Sequence, residues 1–396
     1  MPRSPLMMAA VLAGAAMATT AVAAEPTLIL ESRLRHEAVD QAGFANDASA
    51  LTLRTRLGFE TAEWKGIKLL IEGENVVALG DEYNSTTNGE TAYPIVPDPE
   101  TTELNRLQIA WKGDKAAAVV GRQRIILGSA RFVGNVGFRQ NEQTFDAARV
   151  DLKPRPDLAL TYAYVDRVQR IFGDDHPQSD WRSDSHLAQA DWKPAWGHLT
   201  LHGEWLDFAN APTQSSVTLG AGLRLERPLS DNGLKGSLEA AYARQADYGD
   251  NPADFELDYA ALNLGLRQKD NWASVGLERL DGNGAQGFAT PLATLHAFQG
   301  WADVFLTTPA DGVQDLNAKV GATVRPEGLP PVRLAAALHR FTAPQGGDDY
   351  GTELDLLAAA PLTPNLSFET KLAWFDGDRP GFGDRTKVWI SLDYRY

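Results

Sequence analysis

The chain has 396 residues, no cysteine, and 37 basic against 52 acidic residues, for a formal charge of −15 at pH 7. That acidic balance argues against nucleic acid as a partner. The lack of cysteine excludes disulfides and thiolate metal sites, and beyond the N-terminus no run approaches the ~18 apolar residues of a membrane helix. A hydrophobic content of 43 % suits a soluble protein, but it equally suits a membrane barrel, in which only alternate strand residues face lipid.

Residues 1–24 read as a cleaved secretory signal. Arg3 is the positive start, Met7 to Ala18 is uncharged and apolar, and Ala21-Val22-Ala23-Ala24 offers a small-residue cleavage site. The remainder, 25–396, is expected to form one domain. From its start the pattern repeats every two residues. Leu28, Leu30 and Leu34 alternate with Glu31, Arg33 and Arg35; Leu51, Leu53, Leu57 and Phe59 share one face while Thr52, Arg54 and Arg56 share the other. Such alternation marks strands wet on one side and apolar on the other.

About 18 segments follow this rule, each near the ~9–11 residues that cross an outer membrane as a tilted strand. The first nine are 27–37, 50–61, 66–76, 102–112, 116–126, 143–153, 157–168, 182–193 and 198–207. The second nine are 214–226, 235–246, 254–267, 271–279, 313–324, 331–341, 350–361, 364–375 and 385–396. Every second connection is short, as at 112–115, 154–157 and 268–271, and the intervening ones are longer, above all 77–101, 127–142 and 280–312. The fold expected is therefore all-β: a closed antiparallel transmembrane β-barrel of about 18 strands, with short periplasmic turns and long external loops. Trp64, Trp111, Trp192, Trp196, Trp272, Tyr394 and Tyr396 fall near the periplasmic ends, and Tyr164, Trp205 and Tyr242 toward the other ends, as two interfacial girdles. The terminal aromatic is similar to the signal read by the outer-membrane assembly machinery, an expected partner alongside lipid and lipopolysaccharide.

If the apolar face meets lipid, the other face lines a lumen. Arg33, Arg35, Arg54, Arg56, Arg106, Arg122, Arg124 and Arg149 then form a basic wall on strands one to six, and Lys387 and Arg395 extend it on the last strand. Glu204, Glu239 and Glu278 lie on the far wall. Two readings of the arginines are open. They form an anion-attracting path for carboxylated or phosphorylated solutes, or they pair with Glu31, Glu60, Glu72, Glu74 and Asp151 and tie neighbouring strands together. The loop carboxylates Asp81, Glu82, Glu90, Asp98, Glu100 and Glu103 read as a solvated acidic rim, with divalent cations bridging to lipopolysaccharide as the other reading. No cofactor and no other metal is expected.

Catalytic patterns are weak. His198 and His202 share a strand face but stand roughly 13 Å apart at ~3.3 Å per residue, and neither G-x-S-x-G nor H-E-x-x-H occurs. No enzyme is expected; a barrel enzyme, or a structural barrel without an open pore, is the alternative class.

Two stretches carry a resemblance. Gly121-Arg122-Gln123-Arg124-Ile125 with the run from Arg131 to Asp146, and Thr290-Pro291-Leu292-Ala293-Thr294-Leu295-His296 continuing through Trp301 to Asp303, resemble the alginate export family of outer-membrane porins. The resemblance implies an 18-stranded barrel with an arginine-rich lumen, adds Arg139 to the pore-lining set, and suggests passage of acidic sugars or alginate-like oligo- or polysaccharide. Two external segments are too long and apolar for free aqueous loops: 128–143, and 281–312 with Leu292, Leu295, His296, Phe298, Trp301, Val304 and Phe305. The spacing in the second predicts a short amphipathic helix folded inward as a constriction, with a cap across the rim or contact with a neighbouring barrel as the other reading.

Overall fold

The computed structural model describes residues 25–396; the expected signal segment lies outside them. Strands β1 (Thr27–Gln41), β2 (Ala48–Glu60), β3 (Ile67–Ala78), β4 (Thr101–Lys112), β5 (Ala116–Gln123) and β6 (Thr144–Arg155) come first. Then follow β7 (Leu158–Gln169), β8 (Asp180–Trp192), β9 (His198–Leu206), β10 (Ser216–Pro228), β11 (Lys235–Asp247) and β12 (Glu256–Gln268). The last are β13 (Asn271–Leu280), β14 (Val313–Val324), β15 (Val332–Thr342), β16 (Asp349–Pro361), β17 (Leu366–Gly377) and β18 (Arg385–Arg395).

All 18 strands belong to one antiparallel sheet. Leu34 on β1 lies opposite Leu53 on β2 and also opposite Leu392 on β18, so the sheet closes on itself. Closure pairs every strand edge, which is the condition for a sheet to sit in hydrocarbon.

The alternation runs as the sequence suggests and opposite to that of a water-soluble sheet: polar side chains point in and apolar ones out. On β2, Thr52, Arg54 and Arg56 are buried while Leu57 and Phe59 are exposed. Ile71, Ile109, Val120, Leu201, Leu219, Val275, Leu316, Leu338 and Trp374 continue that belt around the barrel, each more than half exposed. In water such a belt is an aggregation surface; in a bilayer it is the solvated surface.

The turn parity is present, with two-residue turns at 156–157 and 269–270 opposite loops 79–100, 124–143 and 281–312. Two sequence expectations need correction. β5 ends at Gln123 rather than near 126. Gly121 has φ +113°, and a Cβ there would stand 2.2 Å from the Leu107 carbonyl oxygen, so only glycine fills this position, two residues before the chain leaves the sheet. Trp272, expected in the periplasmic girdle, instead shares its strand face with buried Gly276 and Leu280 and packs over Gly321 on the luminal side. Trp64, Trp111, Trp192, Trp196, Tyr394 and Tyr396 are exposed at the periplasmic ends, as expected.

The apolar core lies inside the barrel in its external half. Strand residues Tyr259, Leu280, Phe341, Phe375 and Trp389 pack there with loop residues Phe288, Ala302 and Phe305. A second cluster joins Phe145, Val165, Trp181 and Leu187 to Val133 and Leu292. The barrel wall alone cannot make these clusters; the loops supply at least a third of the buried residues in each.

Candidate functional site

Loops β5–β6 and β13–β14 enter the lumen and grip one another. Val133 and Leu292 form a parallel bridge. The Gly134 N–H donates to the Leu292 carbonyl at 2.8 Å, and the Thr294 N–H to the Ala130 carbonyl at 3.0 Å. Gln143 donates across the seam to the Gly134 and Leu292 carbonyls at 2.8 and 3.1 Å. Loop β13–β14 is not the amphipathic helix expected. It holds a single 3₁₀ turn, Leu295–Ala297, followed by left-handed residues at Gln299, Gly300 and Asp303. Its apolar residues serve two different walls, so their spacing mimics a helical period without a helix.

The inward folding is firm. Phe305 sits among Phe341, Phe382, Tyr350 and Phe375 at ring separations of 4.6, 5.5, 5.7 and 6.1 Å. The Ala302 N–H donates to Glu353 at 2.8 Å, and Arg385 donates to the carbonyls of Ala302 and Asp303, both at 3.0 Å. His296 reaches Lys371, half-way along β17. This loop therefore descends to the middle of the barrel; it is not a cap on the rim. Leu295, Phe298 and Trp301 are half-buried around it, and Phe298 stacks under the Arg131 guanidinium at 4.7 Å.

Arg139 joins the inward segments. Its guanidinium pairs with Glu37 on β1 at 3.0 Å and with Asp303 of loop β13–β14 at 3.0 Å. Asp98 of loop β3–β4 lies 3.8 Å away, buried rather than part of a solvated rim. Lys387 on β18 closes the ring with Glu37 at 3.0 Å and Asp303 at 2.8 Å. Glu142 is a second junction, accepting from Asn105 at 2.6 Å, from Arg124 and from Asn135 at 2.7 Å. Burial pushes its carboxyl up, but Arg56 and Arg124 hold it down to about 2.

The arginines of the expected wall fall into three groups. Arg33, Arg35, Arg54 and Arg56 stand side by side on β1 and β2, buried beneath loop β5–β6. Arg33 donates to the carbonyls of Gly137 and Phe138 at 3.1 and 3.0 Å and pairs with Asp393 at 2.7 Å. Arg35 covers the Phe138 ring at 4.3 Å. Arg56 pairs with Glu74 and lies 3.6 Å from Glu31, whereas Arg54 has no partner at Nε or Nη1. In the second group, Arg106 grips Glu72 at 2.8 and 2.6 Å, Arg124 grips Glu142, and Arg149 pairs with Asp151 at 2.8 Å. Of these, only Arg106–Glu72 ties two strands, β4 to β3; Arg149–Asp151 lies within β6, Arg124–Glu142 within loop β5–β6, and Glu60 pairs with Lys68 instead of an arginine.

Arg122 stands alone in the third group, outside the lumen. It shares its strand face with Val120, lies opposite exposed Leu107, and pairs with Asp146 at 2.8 Å on the outer surface. The far wall is engaged as well, since Glu278 accepts from Arg131 at 2.6 Å and Glu204 from His202 at 2.9 Å.

Sequence reading missed Lys371, Glu142, Asp303 and the role of Arg131. Each acts through partners more than a hundred residues away or on another element, and no local period marks them. Their one signal was the dense Arg, Asn and Gln content between Arg131 and Asp146.

Replacing Arg139 with Ala leaves Glu37 and Asp303 buried with one cation fewer between them. Breaking a buried pair from one side costs about 3–5 kcal/mol. The expected result is faster hydrogen exchange in 135–143 and 296–305 with the strand ladder unchanged. Unchanged exchange in both segments would show that the apolar contacts hold the loops by themselves.

No protein-family model and no curated protein matches the chain. Solved structures share its fold. It is similar to Acinetobacter baumannii OccAB4, with 12 % identity and a TM-score of 0.74 over 95 % of this chain and 99 % of that one. The outer membrane protein OpdK of Pseudomonas aeruginosa is 14 % identical, with a TM-score of 0.73 over 93 % and 99 %. Pseudomonas aeruginosa OccK2 (OpdF), solved in complex with glucuronate, is 12 % identical, with a TM-score of 0.69 over 93 % and 97 %. Identities this low carry the fold: an 18-stranded barrel of outer-membrane type. That is the barrel implied by the alginate-export resemblance, without that family itself being matched.

Proposed function

We propose that the chain is a channel of the bacterial outer membrane, delivered there after loss of residues 1–24, and that it passes hydrophilic solutes passively with a preference for anions. The observation that carries the reading is the cluster on one luminal wall. Arg33, Arg35, Arg54 and Arg56 on β1 and β2 adjoin Lys371 and Lys387 on β17 and β18, and Arg54 keeps two nitrogens without an acceptor. Cations gathered on one wall of a narrow conduit raise the local concentration of anions.

Carboxylated sugars are the favoured solutes. The sequence resemblance to alginate exporters and the glucuronate bound to OccK2 (OpdF) involve the same chemistry, a sugar ring bearing a carboxylate. Lipid and lipopolysaccharide surround the apolar belt on this reading, and no catalytic role is assigned to any residue. The test is conductance of the folded, heat-modifiable protein in planar bilayers. Discrete ion-conducting steps, reduced by millimolar glucuronate, are expected. Absence of steps from correctly folded protein would favour a structural barrel.

A further inference from the structure

His296 is the buried tip of loop β13–β14 and sits where three elements converge. Its ring stacks on Phe138 of loop β5–β6, with centroids 3.5 Å apart and planes 13° from parallel, and lies 5.3 Å from the Trp389 ring on β18. Lys371 of β17 contacts Nε2, and Asp303 contacts Nδ1 at 2.7 Å. An ammonium at Lys371 only donates, so with that charge present Nε2 is the bare nitrogen and Nδ1 carries the proton given to Asp303. The docked loop thus requires a neutral histidine in one tautomer.

The surroundings leave no room for a second proton. Facing His296 are Asp303 on its own loop, Lys371 on β17, Lys387 and Arg385 on β18, Arg35 and Glu37 on β1, and Arg139 on loop β5–β6. Glu353 and Asp355 on β16 hold the backbone N–H groups of Ala302 and Trp301. A proton on Nε2 would point at the Lys371 ammonium, with Asp303 as the one carboxylate touching the ring.

We infer that His296 is an acid-released latch: protonation of its ring frees loop β13–β14 from the barrel wall and widens the lumen. Burial lowers the proton affinity of the ring; Asp303 opposes this, and Lys371 and Arg139 lower it further, to about 3. In a released loop the ring returns to an ordinary value near ~6.5. The docked state binds fewer protons, so docking is at full strength above ~6.5 and weakens as pH falls toward 3. Each unit of acidification in that window multiplies the ratio of released to docked loop by up to about tenfold. Asp303, Glu353 and Asp355 also hold the loop as acceptors, so a proton on any of them acts in the same direction.

The test compares wild type, His296→Gln and Lys371→Gln between pH 7.5 and 4.5. Hydrogen exchange of 294–304, corrected for intrinsic rates, reads the latch whether or not the barrel conducts. High-salt single-channel recording reads it only if the channel reading holds, so the two ideas fail separately. In wild type, exchange of this segment is expected to rise at least tenfold relative to the strands, with more frequent high-conductance openings. His296→Gln has no ring proton to gain and should lose most of the response. Lys371→Gln keeps a donor to Nε2 but removes its charge, which should shrink the response. Wild-type exchange that is flat over this range overturns the proposal, as does a full response in folded His296→Gln protein.

Discussion

Removing residues 288–306 while keeping β13 and β14 is expected to raise single-channel conductance several-fold and to admit larger sugars in liposome swelling. The deleted segment includes Phe288, Leu292, Ala293, Ala302 and Phe305, all buried inside the barrel. It also includes His296 and Asp303, which contact Lys371, Lys387 and Arg139 near mid-depth. An 18-stranded barrel has a lumen too wide for its own side chains to fill. The loops are therefore the main obstruction, and removing one replaces packed protein with water. Phe305→Ser is the milder companion. It puts a hydroxyl among four aromatic rings and costs about 3–5 kcal/mol of packing, by analogy with Phe→Ala, loosening the loop without shortening it. A folded deletion with wild-type conductance would place this loop outside the permeation path.

Selectivity gives the second large effect. Changing Arg33, Arg35, Arg54 and Arg56 together to Ser is expected to move the reversal potential in a salt gradient toward cation preference. A unit charge ~10 Å from the path contributes ~0.4 kcal/mol in water, and screening at 0.1 M salt reduces four of them to roughly 0.6 kcal/mol, about threefold for each ion and, because cations and anions respond oppositely, about eightfold in permeability ratio. Arg122→Ser is the built-in control. Its side chain lies on the outer face against Asp146, so loss of its single charge there should leave the reversal potential alone. A shift from Arg122→Ser about a quarter of the quadruple one would mean that total charge, not a luminal wall, sets selectivity. No shift from either would mean that Glu31, Glu74 and Asp393 neutralise the wall.

Much of the barrel was written in the chain's two-residue period. A strand between lipid and lumen must alternate over its whole length, and Leu51 to Phe59 does so without a break. Strand number, turn parity and the basic character of β1 and β2 follow from local pattern alone, because each depends on which face a residue takes and on how far the chain runs before it turns. Local pattern fails where the chain leaves the sheet. Arg122 and Arg124, two residues apart, were assigned one face. The positive φ at Gly121 and the end of β5 after Gln123 let Arg124 swing inward to Glu142, while Arg122 stays on the lipid side. Trp272 was placed by its position near a strand end, but parity turns it toward Gly321.

The sequence pointed to an inward-folded loop at 281–312, but the contacts that hold it were decided by tertiary structure alone. Arg139, Glu37, Asp98, Asp303 and Lys387 come from β1, three loops and β18, and no periodicity brings them together. Their meeting depends on barrel closure, which sets β18 beside β1, and on loops whose irregular backbone follows the wall rather than a repeat of its own. Sequence by itself determined that there is a barrel, with roughly how many strands and which faces meet lipid, because alternation is a local response to two solvents. What fills the barrel, and which charges face one another within it, required the whole chain to be folded, because those contacts pair residues up to several hundred positions apart.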